Sequence, residues 1–268
     1  MMEMKIEFET SDFETLNEYQ EYRLNYLKSV EALKKDWKRI EDAIITRASS
    51  LLPYREFPVE IRVTISLSTE EDNDSIFVHP VYTSDTEAFV SKASHKVHSL
   101  LCYELTKYDV DLIPDEHKGI ISTLETIQIE GIGDHIDKEY FVNCDDHLYP
   151  DESYTEEFTV TLRNISQTIT DFNELLKRIA QESADKEKLG EELRKFTPPY
   201  GNPLGYYMTT IIIKNSLLDE MLGNLGNPFD FFRLYNKAVS KDRFDIPSFS
   251  EETTRYLRKL EELYLKKN

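Results

Sequence analysis

The sequence is poor in cysteine and in long apolar runs. Its 2 cysteines, Cys102 and Cys144, are too few for a disulfide framework and are typical of a protein in a reducing compartment. No stretch approaches the roughly 20 apolar residues that a membrane-spanning helix needs. Residues 1–11 also lack the basic and apolar segments of a secretory signal. We therefore expect a cytoplasmic protein that does not bind membranes.

Positive charge is scarce as well. The chain has 51 acidic and 32 basic residues, which gives a formal net charge of −19 at pH 7. Such a surface repels phosphate backbones, so we expect no nucleic-acid binding. The patterns G-x-x-x-x-G-K-[ST], G-x-G-x-x-G and G-x-S-x-G do not occur, which removes the usual signatures of nucleotide binding and serine hydrolysis.

What the sequence does contain is the pattern of a folded protein, with 40% hydrophobic and 31% charged residues. Residues 11–50 have no Pro or Gly, and their apolar residues recur every three or four positions, which predicts an amphipathic helix. Residues 59–65 alternate between apolar and polar, which predicts a half-buried strand. A second β-like run covers residues 75–82. A small sheet is therefore expected after the N-terminal helix.

Two further helices follow the predicted sheet. Apolar residues at steps of four, from Phe89 to Leu101, predict a helix that Asp85 can cap. A second helix is predicted over residues 119–140. Gly131 and Gly133 interrupt it, and because glycine is costly within a helix, the pair indicates close approach of another element.

The rest of the chain is also predicted to be helical. The segments are a long charged helix or helix pair at 156–194, a proline-containing loop at 197–203, and helices at 205–222, 229–239 and 250–265. We therefore predict a predominantly helical α+β fold, formed by one domain over residues 1–268. Its parts would be an N-terminal helix (1–50), a sheet with two site-bearing helices (51–150) and a helical C-terminal part (151–268).

Two short motifs bear on function. The first is the run from His95 to Ser99, which reads His-Lys-Val-His-Ser, and the second is the run from Glu130 to Asp134, which reads Glu-Gly-Ile-Gly-Asp. In zinc peptidases with the H-E-x-x-H motif, one helix presents two histidines four positions apart to the metal. The intervening Glu activates water, and a later helix supplies the third ligand.

With residues 201–208 and 227–236, these motifs give the chain a resemblance that covers about residues 51–238. The chain resembles a family of predicted zinc-dependent peptidases of the gluzincin type. In that family the second motif reads E-G-x-A/G-D, and its Glu is a zinc ligand. The resemblance implies a zincin-like fold, zinc as cofactor, a peptide or protein as partner, and Glu130 as a ligand.

The first motif departs from the pattern of that family. If His95 is the first ligand, Lys96 occupies the position of the catalytic Glu and Ser99 that of the second histidine. A charged lysine cannot take a proton from water, and its charge opposes a nearby dication. Ordinary peptidase chemistry is therefore not expected.

Two interpretations of the altered site remain open. In the first, a remodelled zinc site uses His95, His98 and Glu130, with Cys102 as a fourth ligand and with Ser99 and Asp134 close by. In the second, His95, His98 and Cys102 are interior groups of a former active site and bond to protein neighbours.

The resemblance also draws attention to the loop before residue 205. Tyr207 lies near the start of the following helix, where its phenol could stabilise an oxyanion. A tyrosine half-buried in a helix contact is the alternative. Asn202 occupies a position where histidine is expected in the family.

Three functions are compatible with these observations. The first is a pseudopeptidase that has lost hydrolysis and keeps a peptide-binding cleft. The second is an active metallopeptidase with non-standard ligands, whose base would be Glu104 or Asp134. The third is a helical interaction domain without an ancestral active site.

Overall fold

The structure is a computed structural model. The residues it describes are 3–7, 20–57, 60–65, 75–143, 152–181, 183–198, 202–242 and 246–265. The chain forms two compact units. Unit 1 comprises Met1–Leu101 with His135–Glu152, and unit 2 comprises Cys102–Asp134 with Ser153–Asn268.

The strands are β1 (Glu3–Glu7), β2 (Glu60–Ile65) and β3 (Ser75–Val78). The α-helices are α1 (Gln20–Lys35), α2 (Trp37–Ser49), α3 (Thr86–Tyr103), α4 (Asp115–Asn143), α5 (Glu152–Arg163), α6 (Ile165–Ile179), α7 (Lys186–Leu193), α8 (Pro203–Lys214), α9 (Leu218–Gly223), α10 (Pro228–Val239) and α11 (Glu251–Tyr264). The predicted predominantly helical α+β class with a small sheet is confirmed.

The sheet lies in unit 1. Strand β2 pairs in parallel with β1 on one side and with β3 on the other. Along β2, Ile61 and Val63 are buried and Glu60 and Arg62 are exposed, which is the alternation expected of a half-buried strand. Helix α1 packs against the 3-10 turn Pro80–Ser84 that follows β3. The predicted strand at 75–82 is therefore shorter than expected.

Helix α3 matches its prediction closely. The Oδ1 atom of Asp85 accepts hydrogen bonds from the backbone N–H of Glu87 at 2.7 Å and of Ala88 at 3.0 Å. This cap satisfies two of the amides that every helix start leaves without an intrahelical partner. The residues that recur at steps of four along α3, from Phe89 to Leu101, are fully buried.

The N-terminal region differs from the single helix predicted for residues 1–50. Glu3–Glu7 form β1, and the helical part breaks at Asp36, between α1 and α2. Strand β1 was missed because its partner β2 lies more than fifty residues away, so no local turn signal marks the pair. Residues 11–19 of the predicted helix lie outside the described residues.

Unit 2 is built from helices around an aromatic core. Helix α8 packs on α6 and α10, and α11 packs on α6 and α10. Phe172 of α6 is fully buried, and its ring centroid lies 5.1 Å from that of Phe196, 5.7 Å from that of Phe232 and 6.1 Å from that of Phe249. Buried ring pairs in this distance range add stability beyond the area that they remove from water.

Two helices of unit 2 begin with the same Asn-Pro dipeptide. The side chain of Asn202 accepts from the N–H of Gly205 at 2.8 Å, and that of Asn227 accepts from the N–H of Asp230 at 3.2 Å. The prolines that follow lack an N–H and favour a helical φ, so they suit the first helical position. The predicted start of α11 at Ser250 is also confirmed, since Ser250 caps the N–H of Thr253.

Helices α4 and α8 approach each other through glycine. A Cβ atom on Gly131 would lie 2.3 Å from Cα of Gly205, and one on Gly205 would lie 2.0 Å from the carbonyl oxygen of Ile127. Both distances are far below van der Waals contact, so only glycine fits at either position. The close approach predicted at Gly131 is confirmed.

The remaining helices of unit 2 are more divided than predicted. The helix or helix pair predicted over residues 156–194 is divided into α5, α6 and α7, and a break that includes Ser216, with φ of 58°, separates α8 from α9. None of the described helices is long and apolar enough to cross a bilayer. The single domain predicted for residues 1–268 stays a prediction.

Candidate metal centre

Two helices bring His95 and Asp137 together inside unit 1. His95 lies on α3 and Asp137 on α4, and the imidazole Nδ1 is 2.8 Å from Oδ1 of the carboxylate. The side chain of His95 is 6% exposed and that of Asp137 is 0% exposed. A buried imidazole in contact with a carboxylate is held in one orientation, which suits either a metal ligand or an internal ion pair.

Two lysines contact the same carboxylate. The Lys92 Nζ is 3.3 Å from Oδ2 of Asp137, and the Lys138 Nζ is 3.4 Å from Oδ1 and 3.5 Å from Oδ2. Lys138 is 2% exposed, which is rare for a residue that usually extends its ammonium into water. Lys92, His95, Asp137 and Lys138 form what we call the Asp137 cluster.

The electrostatics of the Asp137 cluster follow from burial and charge. Burial works to raise the pKa of the Asp137 carboxyl, but the charges of His95, Lys138 and Lys92 together hold it well below its usual range. Burial lowers the pKa of the Lys92 ammonium, and Asp137 opposes this shift. Nearby, burial followed by the charge of Asp137 raises the pKa of Tyr82 to about 12. Asp137 is therefore ionised near neutral pH.

Asp134 extends this polar group along α4. It precedes Asp137 by three positions on one continuous helix, so helix geometry alone places the two carboxylates on the same side. His95, Asp134 and Asp137 are all buried, and their side chains are of types that can bind a metal ion.

Within unit 2, Asp134 has a defined structural role. Its Oδ2 accepts a hydrogen bond from the backbone N–H of Asn202 at 2.6 Å, next to the start of α8. The sequence analysis expected both residues close to the site, and the structure brings them into contact with each other. Whether Asn202 acts on a bound metal stays a prediction.

Of the other predicted residues on α3, His98 lies in the interior of unit 1. It is 0% exposed, and its Nε2 is 3.2 Å from the backbone oxygen of Leu51. A contact with a protein neighbour is expected if His98 is an interior group of the fold rather than a metal ligand. Lys96 is half-buried and Ser99 is buried. Ser99 lies on the side of α3 that carries His95, since it follows His95 by four positions, whereas Lys96 follows by one and points about 100° away around the helix.

Cys102 and Glu130 belong to unit 2. Burial raises the pKa of the Cys102 thiol well above its usual value, and the negative charge of Glu130 raises it further. A thiol of this kind keeps its proton, whereas a metal ligand must be a thiolate. The ligand roles predicted for Cys102 and Glu130 stay predictions.

Tyr207 lies in the first turns of α8 and is half-buried. Burial raises the pKa of its phenol, and the charge of Asp242 raises it further. Its hydroxyl is therefore protonated at neutral pH and can donate a hydrogen bond, as an oxyanion-stabilising group must. Its catalytic role stays a prediction.

The three possible ligands fit zinc in type and number. Catalytic zinc sites use three protein ligands drawn from histidine, carboxylate and thiolate, with a further position left for water. The charge around Asp137 opposes this fit, because Lys92 and Lys138 already place ammonium groups within hydrogen-bond distance of both its oxygens. A dication bound there would meet two like charges at close range.

Sequence reasoning missed Lys92, Asp137 and Lys138. A signal for the first two was present, since Lys92 precedes His95 by three positions and Asp137 follows Asp134 by three. On a helix such residues share a side with the motif residues already noted. Lys138 had no such signal, because its burial depends on packing between distant segments.

The family comparison agrees with the resemblance noted from the motifs. The model of a family described as "Putative zinc dependent peptidase" matches residues 2–243. Since the match covers most of the 268 residues, the chain belongs to this family. No curated protein and no solved structure matches the chain. The family description indicates zinc dependence, and His95 and Asp137 of unit 1 are buried groups with which the chain could bind a metal.

Proposed function

We propose that this chain is a zincin-like member of its family that has lost ordinary peptide hydrolysis and retains a cleft for a peptide or protein. Lys96 is the observation that carries the proposal. It follows His95 directly, at the position where an H-E-x-x-H peptidase has its general base. A general base must accept a proton from water, and an ammonium group has no lone pair with which to do so.

The Asp137 cluster supports the same proposal. A hydrolytic zinc site stabilises the negative charge that develops on the attacked carbonyl by means of the metal ion. Here the charge of Asp137 is already balanced by Lys92 and Lys138. The position of greatest metal-binding potential among the described residues is thus partly neutralised by the protein itself.

Peptide binding would use the sheet of unit 1. Strands β1 and β3 lie at the two edges of the described three-stranded sheet. An edge strand presents backbone groups that an extended peptide can pair with. Hydrogen exchange of the amides of Ser75–Val78, measured with and without peptides selected from a display library, tests this. Protection of β3 supports the cleft, and peptide binding without protection of either edge strand contradicts it.

Restoring the motif tests the loss of hydrolysis. We expect no chelator-sensitive cleavage of a peptide library by the wild-type protein. The double variant Lys96→Glu with Ser99→His should gain zinc affinity, and Lys96→Gln, which removes the charge without adding a base, is the matched control. Chelator-sensitive cleavage by the wild type contradicts the proposal, and a folded double variant without zinc affinity contradicts the alignment of the motif.

The second candidate is an active metallopeptidase that uses His95, Asp134 and Asp137. The observation that favours it is that these three residues are buried and that their side chains are of types that bind zinc. This function requires cleavage that is lost on chelation, restored by zinc, and abolished by Asp134→Asn. The asparagine can still accept the hydrogen bond from Asn202, so the fold should survive the change.

We also propose a cytoplasmic location. Its support is the low cysteine content, which suits a reducing compartment. Redox-sensitive labelling of Cys102 and Cys144 in fractionated cells tests it, and a disulfide between them would contradict it.

A further inference from the structure

We infer that Lys92 and Lys138 are built-in counter-ions of Asp137, which occupy the space beside this carboxylate and so keep a metal ion away from it. The inference rests on the proposed loss of hydrolysis and gives that loss a physical cause. The difference from a metal-dependent peptidase then lies in the neighbours of a potential ligand, as well as in the altered H-E-x-x-H motif.

The acceptor capacity of Asp137 is largely used. An ionised carboxylate offers about four lone-pair sites for donors or a metal. Oδ1 has His95 Nδ1 at 2.8 Å and Lys138 Nζ at 3.4 Å, and Oδ2 has Lys92 Nζ at 3.3 Å and Lys138 Nζ at 3.5 Å. A metal ion that binds Asp137 must displace at least one of these groups.

The two lysines differ in how easily they can be displaced. The side chain of Lys92 is 20% exposed, so its ammonium can turn toward water on its flexible stem. The side chain of Lys138 is 2% exposed, and it follows Asp137 directly in α4, so it has no comparable route. Lys92 is therefore the group whose removal should open Asp137 to a metal with the least damage to the fold.

A lysine ammonium is part of the chain, whereas a metal ion must bind from solution. The ammonium is present at every metal concentration, whereas the stabilisation that a bound ion gives the fold rises with the logarithm of the free ion concentration once that exceeds the dissociation constant. Wild-type protein treated with chelator should therefore melt at the same temperature as protein supplied with zinc. A shift of several degrees upward on adding zinc would overturn the inference without any variant being made.

The direct experiment is a zinc titration by calorimetry of the wild type and of Lys92→Met, which keeps the apolar stem and removes the charge. We expect the variant to bind zinc about tenfold more tightly or better, a change of the size that neighbours of metal ligands produce. Lys118→Met is the matched control, because Lys118 contacts Asp115 on the same helix but at the surface. It should bind zinc as the wild type does.

A third variant assigns the gain to the right carboxylate. Adding Asp137→Asn to Lys92→Met should return zinc affinity to the wild-type value. Equal affinity of Lys92→Met and wild type, or a gain that survives Asp137→Asn, overturns the inference. If Lys92→Met does not fold, Lys92→Gln and the chelator melting experiment decide the question. Peptide cleavage, measured separately, is the readout that tests the proposed function, so the two can fail independently.

Discussion

The interiors of the two units are stabilised by different forces. Unit 1 buries the Asp137 cluster, in which a carboxylate, an imidazole and two ammonium groups meet. Unit 2 buries stacked and edge-on phenylalanine rings around Phe172. Apolar packing contributes roughly in proportion to the area removed from water, whereas a buried ion pair contributes only what remains after the cost of desolvation.

This difference between the two interiors indicates which of them is more relevant to function. An aromatic core is explained by stability alone. A buried group of charges adds little net stability compared with apolar residues of the same size, so its presence calls for another reason. In this chain the charges include His95, which lies on α3 and contacts Asp137. Substitutions in the charged interior of unit 1 and in the aromatic interior of unit 2 should therefore differ in their effects.

Removing the central ring of unit 2 should have the largest effect. Phe172→Ala is expected to lower the free energy of unfolding by about 4 kcal/mol, because it leaves a cavity among three neighbouring rings. Urea denaturation followed by circular dichroism measures this. Leu263→Ala is the control, since Leu263 is 58% exposed and its loss should change stability by no more than about 0.5 kcal/mol. Equal effects of the two changes would contradict the assignment of the core.

Breaking the Asp137 cluster should cost nearly as much. Asp137→Ala removes a carboxylate that the buried ammonium of Lys138 contacts, and we expect a loss of about 3 kcal/mol in the same urea experiment. Asp115→Ala removes an exposed carboxylate that contacts Lys118 on the same helix, and should cost less than about 0.5 kcal/mol. If Asp137→Ala were neutral, the cluster would not be the buried network that the distances indicate.

A substitution at the contact between Gly131 of α4 and Gly205 of α8 should have an intermediate effect on stability. Gly131→Ala puts a Cβ where the backbone of Gly205 lies, and forcing the two helices apart should cost about 2 kcal/mol. Gly223→Ala has nothing within 4 Å of the added Cβ, so the same substitution there should be neutral or slightly stabilising. Thermal melting of both variants measures the difference. An unchanged melting temperature of Gly131→Ala would contradict the close approach of the two helices.

The smallest effects should be those of pH, and they should have opposite signs in the two units. The pKa of Asp137 is lower in the folded than in the unfolded chain, so its contribution is complete above about pH 4 and is lost as pH falls below that value. The pKa of Glu125 in unit 2 is raised by burial, and the nearby Tyr108 hydroxyl and a hydrogen bond from Thr106 reduce the shift. Its protonated form therefore favours folding, and stability declines as pH rises through its pKa.

Unfolding measured in urea from pH 3 to pH 7 tests these signs. Asp137→Asn should flatten the acid side of the wild-type curve. Glu125→Gln should remove the decline in folding stability that accompanies rising pH, which we expect to be about 0.5 kcal/mol. A variant that changes the curve in the opposite direction would show that the environment of that carboxyl is not as described.

Much of the fold was predictable because its signals are local. The four-residue steps and the Asp85 cap define α3, and the alternation in β2 defines a strand, without reference to distant residues. The break at Asp36 and strand β1 were not predictable in this way. The break interrupts a helical pattern that contains no Pro or Gly, and β1 depends on parallel pairing with a distant strand.

The site was less predictable than the fold. The sequence drew attention to His95 and Asp134 because they belong to motifs that resemble a known pattern at known spacing, and their roles in a site stay predictions. From the sequence alone, Lys138 is predicted to be an ordinary surface lysine, since lysine is almost never fully buried. Only the packing of α4 places its ammonium beside Asp137. The charge balance around a buried carboxylate is thus a property of the tertiary structure and has no short sequence signature.

The contact between Gly131 and Gly205 also bears on how the chain can evolve. Neither position can accept a larger residue while the other helix stays in place, so the two sites are epistatic rather than independent. In a library of random variants, we expect both codons to resist change even when neighbouring exposed positions drift freely. Ancestral reconstruction should find the two glycines retained together.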